Sequence, residues 1–489
     1  MATMAGVKGQ PVVMKAGPES RAVDRDMMLN AHYLGALEGL DIWLTRSDDG
    51  VKGFADECDW HLVKLTDGLS PMERVELPSS RRCQLLGAVG FDGNAKGIHK
   101  ASLLLVDSSA WGRTSILSAK VSLDTLRLEG GHLDAVDVYT YDRKDNCRVW
   151  CAVSPNEKYI GVLTIVQYVK SREYLAVAKV FDENLNLLWK KEYAVGVTNG
   201  IYLDDAGVMY TLGVKHTTDG EYFVINVMNS AGADTYGVSV QSDPVHDVRI
   251  VNVLDNHVLC AGLFTEPLAD PEEALTSGLV TMSFDIDSMQ VAGFSMRYFQ
   301  NEDKNIMQNK NTRKIQYDHS MSMVAWQGSL RMPYGAVVAV GHHRMIHYTN
   351  SNGTVEDFWY AQGLHLLAFD TVGTVKWTRN IRRNDMTDIA DGMIDLHLFS
   401  EGDKVCILKN EDSSEPVEYN IAKAAHEYEV GEKSNLVLYT LASDGTVTKD
   451  IIEKETKHAL TNVGRRKDGT LLLLSVRGNK CRMMELKDR

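Results

Sequence analysis

From about Asn30 onward, apolar stretches of strand length alternate with short turns rich in Gly, Asp and Asn, and the same order keeps returning. The clearest copy starts at Val153. VSPNEKYIGVLTIV supplies a turn and a strand, YLAVAKVFD a second strand, and LLWKKEYAV, after the turn ENLN, a third. LDDAGVMYTLGVKH, EYFVINVMNSAG and DTYGVSV repeat the unit. NHVLCAGLFT, GLVTMSFDID and VAGFSMRYF repeat it again, as do AVVAVGHHRMIHYT, GLHLLAFDTVG and VKWTRNI. Toward the C-terminus come DKVCILKN, SNLVLYTLASDG and VTKDIIE, then RRKDGTLLLLSVRG and KCRMMELKD. Upstream, LDIWLTR, DWHLVKLTDG and MERVELP form a unit of the same kind, and KASLLLVDSS opens another.

Period-two alternation, with Tyr222, Val224, Asn226 and Met228 against Phe223, Ile225 and Val227, predicts strands. Turn signals at short spacing leave little room for helices. Asp270 to Leu275 and Glu302 to Gln308 are candidate helical stretches within loop insertions, and Asn380 to Met393 is ambiguous. Antiparallel strands in such number must hide their edges in a sandwich, a barrel or radial blades. Units of three or four strands fit blades best, because each blade is one meander and the units stack in order. The expected fold is therefore all-β, a β-propeller of about seven blades within a range of six to eight. It would span residues 29–489 behind a flexible segment, 1–28, with KCRMMELKD pairing near the N-terminal unit to close the ring.

A chain of 489 residues exceeds the usual size of one core, yet repeats escape that limit, so length does not demand two domains. The net charge of −14 disfavours a phosphate backbone as partner. Its basic clusters, Arg465 with Arg466 and Lys467, and Arg379 with Arg382 and Arg383, fall in or beside predicted turns, where solvated loops are expected. No apolar run reaches the roughly eighteen residues of a membrane helix. The N-terminal stretch MATMAGVKGQPVVMKAGPES lacks a basic end followed by an apolar core, so no signal peptide is expected in the sequence as it stands. Seven scattered cysteines do not make a disulfide framework, and Cys147 and Cys151 read as small buried strand residues rather than a metal pair.

Two segments share more than cadence. Phe181 to Trp189, FDENLNLLW, and Phe369 to Trp377, FDTVGTVKW, both place a Trp seven residues after an Asp. Asp182 and Asp370 are expected to cap turns, and Trp189 and Trp377 to pack against the neighbouring blade. FDIDSMQVAG and YTLASDGTV keep the turn without the Trp. The pattern resembles quinoprotein-like propeller repeats. Over Val153 to Leu474 the order of VSPNEKYI, VFDENLNLLWKKEY, LDDAGVMYTLGVKH and LLAFDTVGTVKW resembles a family of uncharacterised secreted or outer-membrane-associated propeller-like proteins of the Bacteroidetes. That resemblance implies a periplasmic or cell-surface location and a signal peptide in the precursor, and no established activity. The chain departs from the family at Gly341 to His347 and matches it poorly over the first hundred residues, and a cytoplasmic location stays open.

Catalytic readings lack their residues. A pyrroloquinoline quinone dehydrogenase would need a calcium-binding carboxylate, a catalytic Asp and a vicinal cysteine pair or stacking Trp, and a sialidase its Asp boxes and arginine triad. No cofactor is expected. His343 and His347 share a strand face but lie about 13 Å apart, too far to hold one ion, and His342 points the other way, so no metal site is expected. Asp48 with Asp49 and Asp204 with Asp205 fit turn chemistry, and Asn352-Gly353-Thr354 reads as a hairpin turn before a glycosylation acceptor.

Two insertions stand out against this frame. RYFQNEDKNIMQNKNTRKIQ, from Arg297 to Gln316, is long, polar and rich in Asn and Lys, and EPLADPEEALTSG starts at Glu266. Long loops on a rigid scaffold are where binding residues concentrate. Asn301, Lys304, Asn305, Asn309 and Lys310 are therefore candidates for a rim loop that engages a protein partner, with an outer-membrane protein complex as one such partner. The reading is a non-catalytic binding or scaffolding propeller of the cell envelope. Its alternative is a hydrolase acting on glycans or peptides with acidic residues in the central channel.

Overall fold

The computed structural model describes residues 13–17, 19, 31–37, 40–48, 58–66, 71–77, 83–91, 100–108, 112–142, 144–170, 173–193, 197–217, 220–239, 245–265, 276–300, 302–303, 324–349, 355–387, 396–419, 428–429, 432–466, 469–477 and 480–487. Among these residues the strands form eight sheets of four or five strands. Apart from the added strands Val13–Ala16 and Tyr428–Glu429, each sheet takes consecutive segments of the chain. In each, the first strand touches the first strand of the next sheet, and the eighth closes on the first. That is a propeller of eight blades, one more than the seven units counted in the sequence.

Blade 1 comprises Ala31–Leu37, Leu40–Asp48, Cys58–Leu65 and Pro71–Glu76, and blade 2 comprises Cys83–Phe91, Lys100–Asp107, Arg113–Ser122 and Asp134–Thr140 with the short addition Arg127–Leu128. Both lie in the region where the repeat is faintest. Blade 3 runs from Asn146–Val153 to Leu187–Tyr193, blade 4 from Val197–Leu203 to Ala233–Ser239, and blade 5 from Val245–Leu254 to Gln290–Tyr298. Blade 6 holds Val324–Met332, Gly335–Thr349, Val355–Asp370 and Val375–Thr387. Blade 7 holds Leu396–Glu401, Lys404–Asp412, Ser434–Leu441 and Val447–Thr456.

Blade 8 corrects the expected closure. Ala459–Arg465, Leu471–Arg477 and Lys480–Lys487 supply three strands, and Val13–Ala16 supplies the outermost, Val13 opposite Lys487 and Ala16 opposite Met484. The N-terminal strand thus completes the last blade, so the propeller takes in part of the segment 1–28. A closed ring needs some such splice to cover the edge that Lys480–Lys487 would otherwise expose.

Middle strands are covered by a neighbouring blade on each face, which explains why they read as continuous apolar runs rather than clean alternations. Tyr159–Tyr168 and Thr276–Asp285 are buried almost throughout, whereas the outer strand Leu187–Tyr193 alternates. Among the described residues the core is eight apolar clusters, each between two consecutive blades. Leu103 and Leu105 meet Leu62 between blades 1 and 2, Phe264 meets Leu212 between blades 4 and 5, and Trp43 meets Leu472 and Leu474 between blades 8 and 1. At that last seam Arg466 donates to buried Asp41 at 3.1 and 2.8 Å and to Glu485 at 2.7 Å. The expected solvated loop at Arg466 is instead an ion-paired closure. No helix among the described residues is long and apolar enough to cross a membrane.

Candidate functional site

Antiparallel strands alternate direction, so the connections from first to second and third to fourth strand leave one face of the ring, and the others leave the opposite face. The first is a turn face. There Asp182 accepts the main-chain N–H groups of Asn184 and Asn186 at 2.9 and 2.8 Å, and Asp370 those of Val372 and Thr374 at 3.1 and 2.8 Å. Asp204 caps its turn in the same way through Ala206 and Val208.

The two tryptophans reach across to the next blade. Trp189, in blade 3, is buried beside Leu203, Met209 and Met228 of blade 4, and its indole N–H donates to Gly207 O at 3.2 Å. Trp377, in blade 6, lies among Val405, Tyr439 and Leu441 of blade 7 and donates to Ser443 O at 3.1 Å. Gly445, with φ of +80°, lies under that ring, where a Cβ would come within 2.8 Å of the indole. Arg379 adds a bond to Gly445 O at 2.6 Å. Other turns are held from the preceding blade by Ser102 to Glu183 O, Asn252 to Gly335 O, Thr281 to Gly373 O and Ser283 to Thr371 O.

The opposite face carries the long connections 266–275, 299–323 and 413–433, all from blades 5 to 7. Asn301, Lys304, Asn305, Asn309 and Lys310 lie outside the described residues, as do 266–275 and the stretch 304–308 expected to be helical. The described part of the insertion is anchored by Asp303. Its carboxylate accepts Gln300 N and Asn380 Nδ2, each at 2.8 Å, and lies 3.4 Å from His365 Nδ1. Burial works against the charge, but His365 and these donors outweigh it and hold the carboxyl down at about 2.

Blade 6 is longer than its neighbours on this side, with strands of 15, 16 and 13 residues. Asn380 to Thr387, ambiguous in the sequence, belongs to its outer strand. Blade 7's insertion crosses to that strand, where Tyr428–Glu429 pairs in parallel with Asp385 and Met386, and Tyr419 donates its hydroxyl to Asn380 O. The insertions flanking blade 6 therefore both fasten to Asn380. A register shift between Gln362 and Leu364, the mark of a bulge, falls opposite Arg382 and Arg383. Bulges re-aim side chains, and both guanidinium groups enter the junction with blade 7.

There Arg382 borders a small cleft lined also by Asn384, Asp385, Lys409, Glu411 and Glu415 among others. Arg382 grips Glu415 at 3.1 and 3.0 Å, Arg383 pairs with Asp385 and donates to Gln327 at 3.1 Å, and Lys449 pairs with Glu411 and donates to Pro416 O at 2.6 Å. The expectation that Arg379, Arg382 and Arg383 are solvated is overturned. Sequence reasoning missed this cluster because Glu415 lies 33 residues from Arg382, and Lys409, Glu411 and Lys449 belong to another blade. The available signal was the run of alternation continuing from Val375 past Arg383.

Among the described residues no group of three His, Cys, Asp or Glu side chains could hold a metal ion. His342 is buried in blade 6, and the side chains of His343 and His347, like Asn352 to Thr354, lie outside the described residues. Cys151 packs between blades 2 and 3, where burial pushes its thiol up to about 12. The cleft carries five carboxylates, Asp385, Glu411, Asp412, Glu415 and Glu418, against three cations, Arg382, Lys409 and Lys449.

No family model matches the chain, and no curated protein matches it. Solved structures similar to it include the WD40 domain of SCAP from fission yeast, at 8% identity and TM-score 0.41 over 97% of this chain and 94% of that one. The β-propeller domain of the Trilobed protease from Pyrococcus furiosus shows 9% identity and TM-score 0.37 over 89% and 98%. An acylaminoacyl peptidase from Pyrococcus horikoshii shows 8% and 0.38 over 91% and 57%. At these values no activity or partner transfers, and the propeller assignment rests on the chain's own eight sheets.

Proposed function

We propose that this chain is a binding or scaffolding propeller of the cell envelope that engages a protein partner through the loop face of blades 5 to 7. The observation that carries the reading is the gathering of three long connections on one face, two of them fastened to Asn380 of the extended blade 6. Long loops on a rigid frame are the usual place of recognition. The envelope location and the link to Bacteroidetes propellers with quinoprotein-like docking repeats rest on sequence resemblance. Affinity purification from crosslinked cells of the native host, with membrane and other fractions analysed separately, tests both parts. Stoichiometric recovery with an outer-membrane protein is the expected result. A chain recovered alone from the non-membrane fraction overturns the reading and turns attention to glycan and peptide hydrolysis.

A further inference from the structure

The anchors of two insertions meet at Asn380, and its side chain is held in a single orientation. Nδ2 donates to the Asp303 carboxylate at 2.8 Å, so Oδ1 faces His365 and accepts its Nδ1–H at 2.7 Å. Asp303 in turn accepts the Gln300 N–H at 2.8 Å, and Phe299 packs edge-on against the His365 ring at 5.5 Å. That network holds the start of the insertion after blade 5. The main-chain oxygen of the same Asn380 accepts the Tyr419 hydroxyl from the insertion within blade 7. His365 and Asp303 are 0% and 4% exposed, so water does not replace a partner lost from this network.

We infer that Asn380 couples the two insertions, so that occupying or displacing one changes the other. The inference rests on the proposed function and adds that a partner meets the two insertions as one unit. The strand that carries Asn380 supplies the element that shifts. Ile381 pairs with Leu364 and Asn384 with Gln362, which leaves Arg382 and Arg383 opposite Gly363 alone, at φ of +59°. The ladder is interrupted at this bulge, and the bond between Asn380 and His365 ties the two strands beside it. Arg382, within the bulge, holds Glu415 of the second insertion at 3.1 and 3.0 Å. Releasing Asp303 frees the Asn380 amide and lets the bulged segment shift. The acceptor of Tyr419 and the partner of Glu415 move with it.

Amide hydrogen exchange of the full chain, under conditions where the rate reports the opening equilibrium, tests this. Asp303→Ala alters only the first anchor and should speed exchange at Glu415, Tyr428 and Glu429 by about fivefold or more. Tyr419→Phe alters only the second and should speed exchange at Gln300 by the same factor, because coupling is reciprocal. In an Asn380→Ala background, adding Asp303→Ala should leave Glu415, Tyr428 and Glu429 unchanged. Asn380→Ser serves as the background should Asn380→Ala fail to fold, and Tyr419→Phe decides the coupling should Asp303→Ala fail. Exchange that rises only in the insertion carrying the substitution overturns the inference. So does an effect undiminished without the Asn380 side chain, since general loss of stability then explains it. The measurement needs no partner, which separates it from the broader reading. A chain recovered alone after crosslinking refutes the proposed function and leaves the coupling to the exchange data, whereas independent exchange of the two insertions refutes the coupling alone.

Discussion

The two faces of the ring are built from different chemistry. On the turn face Asp182, Asp204 and Asp370 satisfy the main chain locally, and side chains, neutral apart from Arg379, bond to carbonyl oxygens of the next blade. Each such bond is worth about 1 kcal/mol net, and the device recurs around the ring without burying an unpaired charge. On the loop face of blades 6 and 7 the contacts are buried ion pairs between segments distant in sequence, Arg382 with Glu415 and Lys449 with Glu411. Buried pairs of this kind contribute about zero net stability compared with apolar packing. The comparison separates a face held by local turn capping and mostly neutral contacts from a face held by ion pairs between segments distant in sequence. Ion pairs occur on the turn side as well, Arg466 with Asp41 at the seam between the last and first blades and Lys100 with Glu129 in blade 2.

The strongest test of this division is on the turn face. Trp377→Ala, and separately Trp189→Ala, should lower the free energy of unfolding by about 3–5 kcal/mol, measured by urea denaturation, because each removes a buried ring that spans two blades. A loss under about 1 kcal/mol would break the comparison. Arg466→Ala strands fully buried Asp41 and should cost about 3 kcal/mol by the same measurement.

The next effect is smaller and belongs to the loop face. Asp303 has its carboxyl held at about 2, below its unfolded value near 4, so its contribution is complete above about pH 4 and is lost as the pH falls toward 2. Asp303→Asn should therefore remove about 2 kcal/mol of stability at neutral pH and flatten the acid limb of the stability curve, followed by thermal unfolding between pH 2 and 7. The smallest expected effect is Lys433→Ala, which breaks an exposed pair with Glu455 on the same face and should change stability by less than about 1 kcal/mol.

Legibility differed between the faces for the same reason that their chemistry does. The Asp182 and Asp370 turns were readable because a carboxylate capping N–H groups two and four residues ahead is a local event. The spacing from each Asp to its Trp marked a contact whose partner blade follows directly in the chain. The cluster at Arg382 and Arg383 was misread, because charge near a turn signal looks solvated until the covering segment, Glu415 to Tyr419, is known to fold over it. Blades 1 and 2 blurred the count to seven.

By itself the sequence determined the all-β class, the order of meanders and the blade-to-blade tryptophans, since period-two burial and turn capping act over a few residues. Only the tertiary structure decided that there are eight blades, that Val13–Ala16 completes the last of them, and that Lys409 lies buried beside three coupled pairs. Closure of a ring and the balance of a buried charge cluster depend on which distant segments meet, and no local pattern in the chain encodes that distance.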